Sequence, residues 1–367
     1  MINNANFEVK TAKKPYIERT KVYDATENAQ YSHHPYLCRF NGKFIALFSS
    51  GAVHEDDAGQ RAVVSYSTDF KTWTKPERLE VTGDSRSVDT ACGLFVYNET
   101  LYVYIGTYFY DDKHTKADGG RVFEDKGHKQ TRLLVLTSKD GIHFSLPSDT
   151  GLKMIPNMPP KLMKNGEVVI CGNFLMPVNK DFLHKPNSWE IRGLNTRLIV
   201  DDSETFYDAS KNLGLETVVC ECDLFERDNG EYCSLFRSQK KEFFGKLYVS
   251  KSKDLKTWSL PEKTAFTNDT SKFSVGRLRD GRFYYTGNPV VGGGRNPLVL
   301  SLSDDGENFD KHFILGEEKK PIKYHGFAKF GAYGYPYAFE SAGYFYVIYS
   351  INKEDVEACR VSIREFF

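Results

Sequence analysis

Ser67-Thr68-Asp69-Phe70-Lys71-Thr72-Trp73 is the stretch on which the fold turns. It recurs as Ser138-Lys139-Asp140-Gly141-Ile142-His143-Phe144, as Ser252-Lys253-Asp254-Leu255-Lys256-Thr257-Trp258 and as Ser303-Asp304-Asp305-Gly306-Glu307-Asn308-Phe309. The shared pattern is Ser-x-Asp-x-x-x-aromatic. Short Ser and Asp side chains hold a tight turn, and the aromatic is expected to pack between neighbouring units. The Asp positions lie 71, 114 and 51 residues apart. Because the middle interval is about double the last, one unit without a readable box sits between, carried by Asn165-Gly-Glu-Val-Val-Ile-Cys-Gly-Asn173. Repeats of about 40 to 60 residues, four strands each, mean a β-propeller.

Working outward, the chain is rich in short aromatic and β-branched runs: Lys43-Phe-Ile-Ala-Leu-Phe, Thr100-Leu-Tyr-Val-Tyr-Ile, Arg282-Phe-Tyr-Tyr-Thr and Tyr344-Phe-Tyr-Val-Ile-Tyr. Asn41-Gly42, Asn165-Gly166, Asn229-Gly230, Asp280-Gly281 and Ala342-Gly343 supply hairpin turns, which need positive φ. Strand-led units fall near residues 31–80, 85–150, 155–200, 205–265, 268–320 and 330–367, six in all. A seventh would have to come from the N-terminal segment or from the long 155–265 stretch. Residues 6–23 are expected to complete the last blade and close the ring. The expectation is an all-β chain, residues 1–367, forming a single propeller domain of four-stranded blades.

Composition agrees and excludes several classes. The 367 residues carry 49 Lys+Arg against 49 Asp+Glu, so no electrostatic footprint exists for nucleic acid or an anionic membrane. Aromatics at 14%, mostly 27 Phe and 22 Tyr, favour half-buried pleated surfaces. The opening Met1-Ile-Asn-Asn-Ala-Asn-Phe-Glu-Val-Lys has no apolar export core, and no apolar run is long enough to span a bilayer. Seven cysteines read as reduced thiols in a cytoplasmic protein; a chain whose leader had been removed would be secreted or periplasmic.

The repeats resemble the Asp boxes (BNR repeats) of sialidase-like propellers, in which the box is structural. Sialidases use three arginines for the substrate carboxylate, a Tyr–Glu nucleophile pair and an early Arg-Ile-Pro-like motif. That motif is absent: the equivalent strand reads Tyr31-Ser-His33-His34-Pro35-Tyr36. That strand, with Asn41-Gly-Lys-Phe-Ile-Ala-Leu-Phe-Ser-Ser and His54-Glu55-Asp56-Asp57-Ala-Gly59-Gln60-Arg61, is similar to a group of propellers containing ulvan lyases, rhamnosyl-glucuronate lyases and an α-L-rhamnosidase. The likeness continues through Arg132-Leu-Leu-Val-Leu-Thr-Ser-Lys-Asp-Gly and Gly334-Tyr-Pro-Tyr. It implies a lyase cleaving a rhamnose–glucuronate linkage by β-elimination, with an exo-α-L-rhamnosidase or a non-catalytic glycan-binding propeller as alternatives. The implied partner is a uronate-containing oligo- or polysaccharide, and no cofactor is required.

Elimination beside a uronate needs a base at C5, an acid at O4 and a cation on the carboxylate. The resemblance assigns His34 and Tyr108 as acid and base, His54 as their assistant, and Arg132, or Arg121 if the intervening insertion shifts the match, as the carboxylate partner. His33, Arg61, Arg192 and Tyr335 are the substrate-binding candidates. Each has a plainer alternative: turn hydrogen bonds for His33 and His34, a solvated loop for His54, packing for Tyr108, a blade bridge for Arg132, an ion pair for Arg61. Gln60, Arg197, Glu221, Arg237, Asn288, Arg295 and His325 are further polar residues near strand starts, and Glu221 with Glu340 would make a hydrolase pair. Cys220, Cys222 and Cys233 are weighed as a structural zinc site against three buried thiols, and the thiols are preferred.

Overall fold

The computed structural model describes residues 1–109, 129–194, 213–217, 219–239, 245–326 and 329–367. Six antiparallel sheets follow one another along the chain. The first holds Tyr31–Phe40, Lys43–Gly51, Arg61–Ser67 and Glu77–Arg78; the second holds Val88–Tyr97, Thr100–Phe109, Lys129–Ser138 and Ser148–Asp149. The third has three short strands, Lys161–Leu162, Val168–Val169 and Val178–Asn179, with a ragged edge where Gly193 and Glu190 bridge to Leu175 and Val178. The fourth holds Val219–Glu226, Tyr232–Ser238, Gly245–Ser252 and Glu262–Asn268, and the fifth Ser274–Arg277, Phe283–Gly287, Leu298–Ser303 and Lys311–Gly316. The sixth joins Gly334–Ser341, Tyr344–Ile351 and Asp355–Ser362 to the N-terminal strand Glu18–Tyr23, which pairs with the last of them. The architecture is therefore an all-β propeller with six blades among the described residues. Residues 1–13 form no strand of the sixth blade; Asn3 and Lys13 bridge to Asn308 and Phe313 on the fifth.

Among the described residues six apolar clusters occupy the six blade–blade interfaces. Phe44, Phe48 and Phe70 meet Tyr346 and Ile348 between blades one and six; Leu47 and Val64 meet Leu94 and Val103 between one and two. The others are built likewise. Among the described residues no helix is long and apolar enough to cross a membrane.

The Asp boxes are the outer turns between the third and fourth strands. In the first, the Asp69 carboxylate accepts from the backbone N–H of Lys71 and Thr72 at 2.8 Å, and Ser67 Oγ accepts from Phe70 N–H at 2.9 Å. Asp140, Asp254 and Asp305 accept the equivalent pairs. These bonds hold the exposed Asp69 carboxyl well below its usual range. The residue after each Asp is left-handed: Phe70 (φ 68°), Gly141 (78°), Leu255 (58°) and Gly306 (72°). Phe70 and Leu255 bury their own side chains, whereas Gly141 and Gly306 admit side chains from the preceding blade.

Candidate active site

The first strands of blades one and two, four and five, five and six, and six and one touch one another about the axis. Four of them break register near their start: blade one between His33 and Tyr36, blade two between Ala91 and Gly93, blade four between Cys220 and Cys222, blade six between Gly334 and Tyr337. These are β-bulges, which re-aim the extra residue. In blades one, four and six that residue is His34 (φ 51°), Glu221 (38°) and Tyr335 (53°), all left-handed and none glycine. Such strain concentrates at functional sites. It turns three polar side chains from three blades into one pocket at the mouth of the axis.

The centre of that pocket is a charged network. The Tyr335 hydroxyl donates to Glu221 Oε1, and Arg237 forms an ion pair with the other Glu221 oxygen. Arg237 also donates to the Thr270 carbonyl at 2.7 Å and lies 3.5 Å from Tyr335 Oη. Arg295 stacks over the Tyr335 ring at 5.4 Å, and its Nη1 is buried without a hydrogen-bond partner. Lys272 approaches from below, 5.5 Å from the Tyr335 ring and 3.3 Å from Tyr36 Oη; burial pushes its pKa down to about 8. Burial, then Glu221, raises the Tyr335 phenol well above its usual range, while Arg237 and Arg295 oppose that rise.

On the blade-one side, His33 packs on Tyr335 at 4.0 Å and His34 lies 5.4 Å from it. Burial holds His34 down to about 4, so it is neutral at neutral pH. Lys353 pairs with Glu55 at 2.6 Å, and the Tyr108 hydroxyl donates to Asp56 while lying 3.1 Å from Thr90 Oγ1. His54 is buried on the same loop, its N–H bonded to Asp57 at 3.0 Å. The structure thus brings His33, His34 and Tyr335 into contact, with Tyr108 joined to them through Asp56; His54 sits on the Asp56 loop with its ring beside Gly326.

Other candidates fall elsewhere. Arg132 is exposed near the start of the third strand of blade two, opposite Thr107. Arg61 is spent on structure: it donates to the carbonyls of Gln60, Ser87 and Asp84 and faces Asp89 at 3.7 Å, tying blade one to blade two. Arg192 pairs with Glu190 at the ragged edge of blade three. Gln60 supports the Asp56 loop, accepting from Asp56 N–H at 2.9 Å, and Asn288 braces the Arg295 carbonyl at 2.9 Å. His325 is exposed. Glu340 is at the far end of the strand that Tyr335 begins, beside a cavity of about 520 Å3 at the opposite mouth, so it forms no pair with Glu221. Arg121 and Arg197 lie outside the described residues.

The three cysteines are not brought together. Cys222 enters the core between blades three and four, and Cys233 the core between four and five: Cys222 pairs with Phe236, three residues from Cys233, so plain alternation puts the two on opposite faces, while the Glu221 bulge takes Cys220 off the face of Cys222. All seven cysteines are buried free thiols.

Lys272, Glu55, Asp56 and Lys353 complete the pocket without having been singled out from the sequence. A lysine within the run Thr270-Ser-Lys-Phe-Ser and a charged loop carry no motif. The Pro-Tyr that follows both His34 and Tyr335 is the one signal that two blades share this bulge.

A family model described as a BNR repeat-like domain matches residues 119–347, well over half the chain, and the chain belongs to that family. A search of curated protein sequences returns no match. Among solved structures the chain is similar to a Trypanosoma rangeli sialidase mutant displaying trans-sialidase activity, at 13% identity and TM-score 0.65, covering 97% of this chain and 60% of that one. The same enzyme in complex with sialic acid aligns at 14% identity and TM-score 0.66, covering 96% of this chain and 60% of that one. A Dyadobacter fermentans protein described as of unknown function aligns over 95% of this chain and 99% of its own, at 16% identity and TM-score 0.66. The chain thus spans about 60% of the length of the Trypanosoma rangeli sialidase and 33% of another matched sialidase, and at these identities the likeness is one of fold.

Proposed function

We propose that this chain cleaves a glycoside that carries a carboxylate, with Tyr335 as nucleophile and Glu221 as the base that takes its proton. The observation that carries this reading is the buried Tyr335–Glu221–Arg237 network, assembled from blades four and six by two strained bulges. A phenol suits an anionic substrate. A carboxylate nucleophile about 4 Å from a substrate carboxylate would meet repulsion of about 4 kcal/mol at an effective dielectric near 20, and a tyrosine delivered neutral avoids it. As Oη attacks the anomeric carbon the glycosidic C–O bond would break, the phenol proton passing to Glu221 and the leaving oxygen taking a proton; water would then cleave the glycosyl–tyrosine bond, freeing the sugar, while Glu221 returns its proton to Oη. Arg295, with a buried unpartnered Nη1, is suited to the substrate carboxylate, and the Tyr108 hydroxyl, which donates to Asp56, is a proton source for the leaving oxygen. Sialidase neighbours, one of them in complex with sialic acid, agree with an acidic sugar as ligand.

A second reading, β-elimination at a rhamnose–glucuronate linkage, is favoured by one observation. Neutral, half-buried His34 lies in the same pocket as Tyr108 and the two arginines, the set that elimination needs. Arg237 and Arg295 would then take the part expected of Arg132. Incubation with sialosides and with rhamnose–glucuronate oligosaccharides separates the two. Free sugar released without the ultraviolet absorbance of a C4–C5 double bond, and lost in Tyr335→Phe but not in His34→Ala, supports hydrolysis. Rising absorbance that survives Tyr335→Phe and is lost in His34→Ala moves the protein to the lyases. No product from either set would favour a glycan-binding propeller.

A further inference from the structure

We propose that His33, His34 and Glu55 bind one first-row divalent transition-metal ion, zinc by ligand type, on the blade-one wall of the pocket. One ring nitrogen of each histidine and a carboxylate oxygen of Glu55 lie within 4.8 Å of one another. Adjacent residues of a regular strand point to opposite faces. Here the bulge at His34 brings the two rings to the same side, with centroids 4.5 Å apart. Packing alone gives no reason for two consecutive histidines to share a face at the cost of a left-handed backbone.

The second observation is His33 itself. The Ser350 hydroxyl donates to the Gly334 carbonyl at 3.3 Å, so its oxygen accepts the Nδ1–H of His33 at 2.7 Å. That assignment leaves Nε2 as a bare lone pair. It is fully buried and has no hydrogen-bond partner, which costs about 1–3 kcal/mol if nothing fills it. A histidine whose far nitrogen is anchored by a hydroxyl or carbonyl is the usual supporting arrangement around a bound metal. Gly334 keeps that arrangement open: a Cβ there would sit 3.0 Å from Ser350 Oγ and 3.4 Å from both His33 Cε1 and Arg295 Nη1.

Glu55 gives one oxygen to Lys353 and keeps the other for a ligand. Two nitrogens and one oxygen suit zinc, cobalt or nickel rather than magnesium or calcium. Closing ligand atoms from 4.8 Å to the roughly 3.4 Å spacing around a tetrahedral ion needs small rotations of His34 and Glu55, both half-buried and open to the pocket. Lys353 and Arg295 oppose the ion's charge and favour an anionic fourth ligand.

The site is independent of the Tyr335 reading, since neither Tyr335 nor Glu221 is a ligand, and an ion on His34 would remove that residue as a base. The test is titration of the chelator-treated full chain with Co2+, followed by its visible d–d bands, with Zn2+ binding by calorimetry. One equivalent is expected, weakened at least tenfold in His33→Ala and Glu55→Gln, about tenfold in Ser350→Ala, and unchanged in Arg132→Ala. Ser350→Ala keeps both ligand rings, and metal-free circular dichroism shows whether each variant folds. Absence of Co2+ binding by the wild type overturns the proposal. So does binding that survives His33→Ala, or a strong thiolate charge-transfer band that places the ion on cysteine.

Discussion

Gly141 and Gly42 make a matched pair for testing how the blades are held together. Both are left-handed, at φ 78° and 76°. A Cβ on Gly42 would meet nothing within 4 Å, whereas one on Gly141 would sit 2.7 Å from Ile45 Cδ1 and 3.1 Å from Phe40 Cδ1, side chains of the preceding blade. Alanine at either position carries the left-handed penalty of about 1–2 kcal/mol. Only Gly141→Ala adds overpacking, typically about 1–3 kcal/mol, because Ile45 is fully buried and has nowhere to move. Gly141→Ala should therefore be less stable than Gly42→Ala by about 1–3 kcal/mol. Urea unfolding read by circular dichroism gives the difference from the two midpoints, provided the slopes agree. Equal midpoints would refute the claim that the box glycine exists to receive the neighbouring blade, leaving backbone conformation as its whole reason.

Arg295→Lys keeps the charge but loses the fork that matches a carboxylate; kcat/KM on an acidic glycoside should fall at least about tenfold, about 1.4 kcal/mol, with a smaller change on its methyl ester. Lys161→Met strands the fully buried Asp223, which Lys161 neutralises, and should cost about 3–5 kcal/mol in a melt, part of it recovered by adding Asp223→Asn. His312 is buried with Nδ1 2.9 Å from Ser301 Oγ, and burial lowers its pKa from 6.5 to about 4. The unfolded chain therefore binds a proton that the native chain refuses. Its contribution is complete above about pH 6.5 and drains away as pH falls toward 4. The loss is about 1–2 kcal/mol after solvent screening, and His312→Gln should flatten that limb of a stability-against-pH curve.

The propeller could be read from four boxes and a set of Asn-Gly turns because these are local: each is a turn whose own side chains satisfy its own backbone. The six units took the sequence order expected, since each blade is consecutive in the chain. The pocket was less legible. Tyr335, His33 and His34 stand out in the sequence and touch one another, and Tyr108 joins them through Asp56. Arg237 and Arg295 are visible in the sequence only as polar residues near strand starts, and Glu221 as another of these and as half of a pair with Glu340 that the fold keeps apart; nothing separates the two arginines from Arg61, which looks the same in sequence and ends up bonded to three carbonyls. The difference lies in the bulges. A residue inserted into a strand leaves no compositional trace when it is His, Glu or Tyr rather than Gly, yet it decides which way that side chain points. The same insertion defeats the alternation that would set Cys220 and Cys222 on one face.

The sixth sheet, whose outermost strand is residues 18–23, has a consequence for timing. Glu18–Tyr23 leaves the ribosome early and must wait for Asp355–Ser362 before it has a partner, so the ring shuts by a contact spanning nearly the whole chain, the slowest kind to make. Ser350 belongs to that late sheet, Lys353 to the turn before its last strand, and Tyr335 is the second residue of its first strand. A folding chain with five blades in place would hold Glu221, Arg237 and His34 with no phenol between them. Binding competence and ring closure should therefore arrive in the same kinetic step, and a ligand-sensitive probe in a refolding experiment would report the joining of the two ends.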